Sequence, residues 1–208
     1  MEEGGGDSEE EIDRRVMTWQ LRGSRPLEDM HAYHADIGVT RHSGPDGKIQ
    51  RTWGKLVRVV LTAEGIESNR ESVRKYQSAQ LGSATGGTLL IELLPLPSPS
   101  TGHWLYSSTG IPDLATRDRY REVMTPRRSD AIRSRIDDEH PANVIFYGLD
   151  YRAHWESISR QQFAPVDDQR FLVAEGPSTR FVIAPHPVAR GVSNADFEAI
   201  GRWIAARP

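Results

Sequence analysis

Three places in the chain set ionisable side chains where they could do chemistry. Two adjacent carboxylates, Glu28 and Asp29, follow the turn Gly23-Ser24-Arg25-Pro26, with His31 just beyond. A carboxylate held by such a turn can orient a water or stabilise a cationic transition state. The plainer alternative is an acidic helix start, because Asp and Glu favour a first turn. Glu92 sits inside the apolar run Leu89-Leu90-Ile91-Glu92-Leu93-Leu94. Burying a lone charge there costs many kcal/mol, so Glu92 must be paired with an arginine, protonated or functional. The third is His186, which ends the run Phe181 to Ala184 between Pro185 and Pro187. An imidazole at the C-terminal end of a strand lies where open α/β sheets bind ligands. A satisfied core or surface histidine is its alternative.

Other segments carry weaker signals. After Glu92 comes a Pro/Ser loop in which Ser98, Ser100 and His103 could pinch a phosphate backbone while Trp104 or Tyr106 stacks on a base. A packed surface loop reads the same way. Arg117, Arg119, Arg121, Arg127, Arg128, Arg133 and Arg135 crowd one short stretch, where they could neutralise phosphates. Asp118, Glu122 and Asp130 would instead make it a solvated helix face. Gly148, at the end of another apolar run, permits close backbone approach, and Arg152 and His154 beyond it read as structural.

These groups need elements to position them. The pattern predicts strands over Val16 to Leu21, Thr88 to Leu94, Asn143 to Tyr147, Phe171 to Val173 and Phe181 to Ala184. It predicts helices over Thr52 to Thr62, Glu71 to Leu81, Tyr120 to Glu139, Asp150 to Ser159 and Ser193 to Ala206. Alternation of this kind argues for a parallel, helix-covered sheet of the α/β class. The 208 residues suit one such domain over 15–208, preceded by an acidic head over 1–14. That head, with acids from Glu2 to Asp13 around a Gly-Gly-Gly run, reads as disordered or as a frayed helix start.

Composition removes several classes. With no cysteine there are no disulfides, thiolate metal sites or cysteine nucleophiles. No signal peptide and no apolar run near ~18 residues is visible, so the expectation is a cytoplasmic protein with no membrane contact. The net charge of −3 does not by itself advertise a nucleic-acid binder.

Taken in order, the motifs resemble the uracil-DNA glycosylase superfamily over about residues 16 to 206. Gly23-Ser24-Arg25-Pro26 is similar to that family's first Gly-x-x-Pro turn. His186-Pro187-Val188-Ala189-Arg190-Gly191 is similar to its last motif, and the ends at Glu92 and Gly148 fall between in the family's order. The resemblance implies a three-layer α/β/α sandwich around a four-stranded parallel sheet, with the site at the strand C-termini. It implies a monofunctional enzyme that flips a nucleotide out of DNA and cleaves its N-glycosidic bond, with no metal or cofactor; a monomer is the simplest expectation on other grounds. Asp29 or Glu28 would stabilise the cation and place the water, and His186 would donate to the pyrimidine O2. Gly23, Ser24, Arg25, Pro26 and His31 would contact the base, Ser98, Ser100, His103, Trp104 and Ser193 the DNA, and Arg190 the minor groove.

Two departures matter. Arg25 stands where some family members have Asp, which leaves the acid to Glu28 or Asp29. Glu92 stands where the family often reads uracil with Asn. An ionised carboxylate only accepts hydrogen bonds, and cytosine offers an N4 amino donor where uracil offers an O4 acceptor. The expectation is therefore a modified-cytosine glycosylase, acting for example on glucosylated hydroxymethylcytosine, in the anti-phage role some bacterial members have. Excision repair of uracil or damaged bases, and a non-catalytic nucleic-acid binding module, are the alternatives. A small-molecule hydrolase or nucleotide-binding enzyme on a doubly wound sheet is a third, against which the missing phosphate-loop and Gly-x-Gly-x-x-Gly signatures weigh.

Overall fold

Strand β4 (Arg180–Ala184) organises the molecule because each of its faces meets a different helix layer. The computed structural model describes residues 8–100 and 102–206. On one face Phe181 and Ile183 pack with Phe146, with Tyr120 and Ile132 of α5 (Arg117–Glu139), and with Trp155 and Ile158 of α6 (Arg152–Ser159). On the other, Val182 and Ala184 pack with Val59 of α3 (Arg51–Ala63) and with Phe197, Ile200 and Ile204 of α7 (Asn194–Ala205). Alternation of this kind is the period-2 geometry of a strand buried on both faces. Gly201 lets α7 lie directly on α3, since a Cβ there would sit 2.6 Å from Val59 O and from Thr62 Cβ.

The sheet has four strands in the order β1-β4-β3-β2, where β1 is Asn143–Tyr147, β2 Ala164–Pro165 and β3 Leu172–Glu175. Only β1 and β4 run parallel, while β3 pairs antiparallel with both β4 and β2. The expectation of a purely parallel sheet is therefore corrected to a mixed one. The reason is local. Residues 176–179 alone connect β3 to β4, closed by Gly176 N–H donating to Thr179 O at 2.9 Å. A link so short makes a hairpin, whereas a parallel crossover needs about a dozen residues.

Two other expected strands are absent as such. Val16 to Leu21 belongs to helix α1 (Glu9–Leu21). Ser8 caps it, Glu9, Glu10 and Glu11 fill its first turn, and Glu11 pairs with Arg15 at 2.9 Å. Acid at a helix N-terminus offsets the macrodipole, so the acidic run from residue 8 onward starts a helix. Residues 1–7 lie outside the described range. Gly23 and Ser24 adopt left-handed φ (90° and 52°), and their amides bond back to Gln20 O and Trp19 O. The Gly-Ser-Arg-Pro turn therefore ends a helix rather than a strand.

Thr88 to Leu94 forms no ladder among the described residues, apart from a single bridge at Leu94. A third apolar cluster (Val57, Leu61, Val73, Tyr76, Leu81) joins α3 to α4 (Arg70–Ala79), with Met30 of α2 (Met30–Asp36) packed against it. Among the described residues no helix is long and apolar enough to cross a membrane, and no three His, Asp or Glu side chains cluster as metal ligands.

Candidate active site

The parallel register Tyr147↔Ala184 brings the C-terminal ends of β1 and β4 side by side. Gly148, at φ 94°, turns the chain away there while its N–H donates to Ala184 O at 3.0 Å. Beyond Ala184, the His186 ring meets the Tyr147 ring edge-on, with centroids 6.0 Å apart. His186 Nδ1 accepts the Val188 N–H at 3.3 Å, which assigns the imidazole proton to Nε2. Burial lowers the imidazole below its ordinary range and favours the neutral ring.

The turn that carries His186 is pinned by cations. Lys55 of α3 donates to Pro187 O at 2.6 Å and Val192 O at 2.8 Å, and Arg170 donates to Gly191 O at 2.5 Å. Desolvation lowers Lys55 below the usual lysine range. Sequence reasoning missed Lys55, since a lysine on an amphipathic helix looks like any solvated one.

Glu92 reaches the same corner from the other side of β1. Its carboxylate Oε1 accepts the Tyr147 hydroxyl at 3.0 Å, and its main-chain oxygen accepts Arg128 of α5 at 2.8 Å. An arginine partner is thus present, but at the backbone. Burial first, and Glu92 second, push the Tyr147 phenol far above its ordinary range, so it stays a protonated donor. Tyr147 was read only as the last residue of a strand. A polar aromatic beside the strand-end Gly148 was the available signal.

Beside β1, between α3 and α5, lies a cavity of about 1160 Å³. β1 is an edge strand, and the unladdered segment 88–93 leaves open the space a further strand would fill. Glu28, Asp29, Glu92, Tyr147, Arg22 and Arg25 all line it. Glu28 Oε2 pairs with Arg22 at 2.9 Å, while its Oε1 is buried and accepts no hydrogen bond among the described residues. Asp29 caps α2 by accepting the Ala32 N–H at 2.8 Å and ties in the Ala84 N–H at 2.7 Å. These amides, that of Ala84 foremost, hold its carboxyl below the usual carboxylate range. Asp29 is therefore both a helix cap, as the plainer reading had it, and a cavity-lining anion.

The remaining expected residues lie elsewhere. His186 is not part of the lining among the described residues, and its ring meets that of the lining residue Tyr147. Gly23, Ser24 and Pro26 form the exposed cap of α1 outside the cavity, and His31 sits on α2 with a buried Nε2 that has no hydrogen bond among the described residues. Ser98 Oγ lies 2.9 and 2.6 Å from Ser100 O and His103 O and accepts Arg117 at 2.6 Å. Trp104 donates to Leu114 O at 2.8 Å, with Arg117, Tyr106 and Tyr120 against its ring. The loop's chemistry is thus turned inward, as a packed surface loop requires. Ser100 and His103 are exposed, as is Arg190, and Ser193 makes a capping box with Asp196 at the start of α7.

Most of the arginines on α5 have local partners. Arg119 pairs with Asp113 and Glu122, Arg133 with Asp130, and Arg135 with Glu139, while Arg121 donates to Tyr151. Arg152 pairs with Glu156, and His154 is exposed beside Tyr151. No family model, curated protein or solved structure matches the chain.

Proposed function

We propose that the protein is a DNA glycosylase that excises a bulky, cytosine-like pyrimidine, such as the glucosylated hydroxymethylcytosine of phage DNA, as a defence against infection. One observation carries the reading: Glu28, Asp29 and Glu92 share a cavity bounded by Tyr147, whose ring meets His186. The cavity slightly exceeds the ~300–1,000 Å³ usual for small-molecule sites, which suits a base carrying a sugar.

Such an enzyme first takes the nucleotide out of the stack. The flipped base seats at the Tyr147 end of the cavity, within reach of both Glu92 and His186. The glycosidic bond breaks with its electron pair leaving on the base nitrogen, and an oxocarbenium-like sugar remains. Asp29, held ionised by its two amides, supplies negative charge opposite that cation. Glu28 Oε1 accepts a proton from the water whose oxygen bonds to C1′. The Nε2–H of neutral His186 donates to the base O2 as charge develops there, and the released base takes its proton from solvent. Glu92 accepts the N4 amino group.

Abasic-site formation tests this on oligonucleotides carrying uracil, cytosine, hydroxymethylcytosine or glucosylated hydroxymethylcytosine. Strand scission after alkali with the hypermodified base alone is the expected result. His186→Ala and Asp29→Ala should each lower it by about 10²–10⁴-fold. Scission at uracil would instead assign the protein to base-excision repair and discard the role of Glu92. DNA binding with every base left uncut would leave a binding module.

A further inference from the structure

We infer that Tyr147 is a specificity-determining residue of this site, holding the Glu92 carboxylate as a hydrogen-bond acceptor so that it selects a pyrimidine bearing an amino group over one bearing a keto group. The inference rests on the glycosylase reading and deepens it. A glutamate can read a base edge in two ways. Ionised, it only accepts, and suits the N4 amino group of cytosine; protonated, it can donate, and suits the O4 of uracil. Whatever fixes the proton on Glu92 therefore fixes the base.

Tyr147 is built to do this. Its hydroxyl donates to Glu92 Oε1 at 3.0 Å, and a hydrogen bond to the charged form favours that form. The phenol is held protonated by its surroundings, so its direction of donation is constant. Glu92, so held, lines the cavity together with Tyr147. The Tyr147 ring is in turn fixed by its place at the end of β1, on the face packed against Val182, Ala184 and α7, and by its edge contact with His186. Among the described residues, the charged and titratable groups around the pair come from several elements. Arg128 and Tyr120 come from α5 and His186 from the turn after β4, and Glu28, Asp29, Arg22, Arg25, Glu64, Arg135, Glu139 and Arg180 line the same cavity. Arg128 also favours the Glu92 anion, but it binds the main-chain oxygen and survives removal of the phenol.

Tyr147→Phe tests the inference, because it keeps the ring packing and deletes one hydroxyl. Cleavage of glucosylated hydroxymethylcytosine and glucosylated hydroxymethyluracil in DNA is measured for both proteins. The Glu92 carboxyl is titrated in each by 13C NMR on glutamate-labelled protein, its resonance identified by loss in Glu92→Gln. The expected result is a higher ionisation midpoint for Glu92 and a cytosine-over-uracil preference reduced by about 10- to 100-fold, as loss of a hydrogen bond to a charged group implies. An unchanged midpoint overturns the inference. So does an unchanged preference with both substrates slowed alike, which is what a merely structural tyrosine would give. A wild-type protein that cuts neither base removes the glycosylase reading itself and this role with it. A wild type that cuts while Tyr147→Phe keeps its preference removes only the role of Tyr147.

Discussion

Strand β4 with its His186 turn, and the segment from Thr88 to Trp104, have similar composition: an apolar run, a proline-rich break and a polar residue in position to work. They fold differently. In β4 the residues Phe181 to Ala184 are 0–3% exposed, and the strand is paired on both edges. Its following turn is held by three cation-to-carbonyl bonds from Lys55 and Arg170. In the other run Leu89 is 50% exposed, only Leu93 and Leu94 are buried, and the backbone makes no ladder among the described residues. Apolar content alone does not make a strand. A strand needs an edge to pair with and a core on each face, and the 88–93 run leaves a cavity where its pairing with β1 would be. The histidine thus stands on a rigid frame, and the glutamate on a segment held by Tyr147 and Arg128.

The largest effects should separate these two regions by stability. Ile183→Ala removes a side chain with no exposure from between two packed layers and should cost about 2–5 kcal/mol in urea unfolding. Leu89→Ala, half exposed beside a cavity, should stay within about 0.5 kcal/mol. Equal costs would mean that the 88–94 run is packed as tightly as β4, and the contrast would break. Lys55→Met comes next. It leaves the carbonyls of Pro187 and Val192 without their charged donor, for a loss of about 1–3 kcal/mol, and should quicken amide exchange over residues 187–192 while leaving β4 protected.

The parts of this contrast that could be read from the sequence are those settled locally. Asn143–Tyr147, the last helix (expected over Ser193 to Ala206, found over 194–205) and the stop at His140 all follow from short apolar patterns with punctuation at their ends. Strand direction was not legible, because it depends on the four-residue turn between β3 and β4 closing as a hairpin. Val16 to Leu21 misled because a short apolar run before a Gly-Pro turn looks like a strand, while the cap at Ser8 and the three glutamates after it decide for a helix. At the site, Glu92 was legible as an anomaly and His186 as a strand-end residue. Tyr147 and Lys55 were not, since their roles exist only once β1 lies beside β4 and α3 lies beneath the last turn.

Acid should act first on the N-terminal side. His34 of α2 is stacked on Trp53 at 5.7 Å, and burial lowers its imidazole to about 4. The unfolded chain takes up this proton near its ordinary value of about 6.5, while the native state resists it to about 4. The native state is therefore favoured fully above pH ~6.5 and progressively less as the pH falls from there towards 4. His34→Gln should flatten this part of the stability–pH curve. A curve of unchanged slope would show that His34 is as solvated in the native chain as in the unfolded one.

The smallest effects should come from the two helix caps, and they sharpen the contrast most finely. Ser193→Ala deletes the hydroxyl that accepts the Asp196 N–H, for about 1 kcal/mol. The loss should stay in the first turn of α7, because Phe197, Ile200 and Ile204 hold the rest against α3 and the sheet. Asp29→Ala removes a cap of the same kind, but Asp29 also binds Ala84 across the chain. Its loss should therefore be felt in two segments, α2 and the loop over 82–88, which hydrogen exchange would resolve as paired increases. If exchange rises in α2 alone, the tie to Ala84 does not order that loop, and the anion at Asp29 is positioned by its helix only.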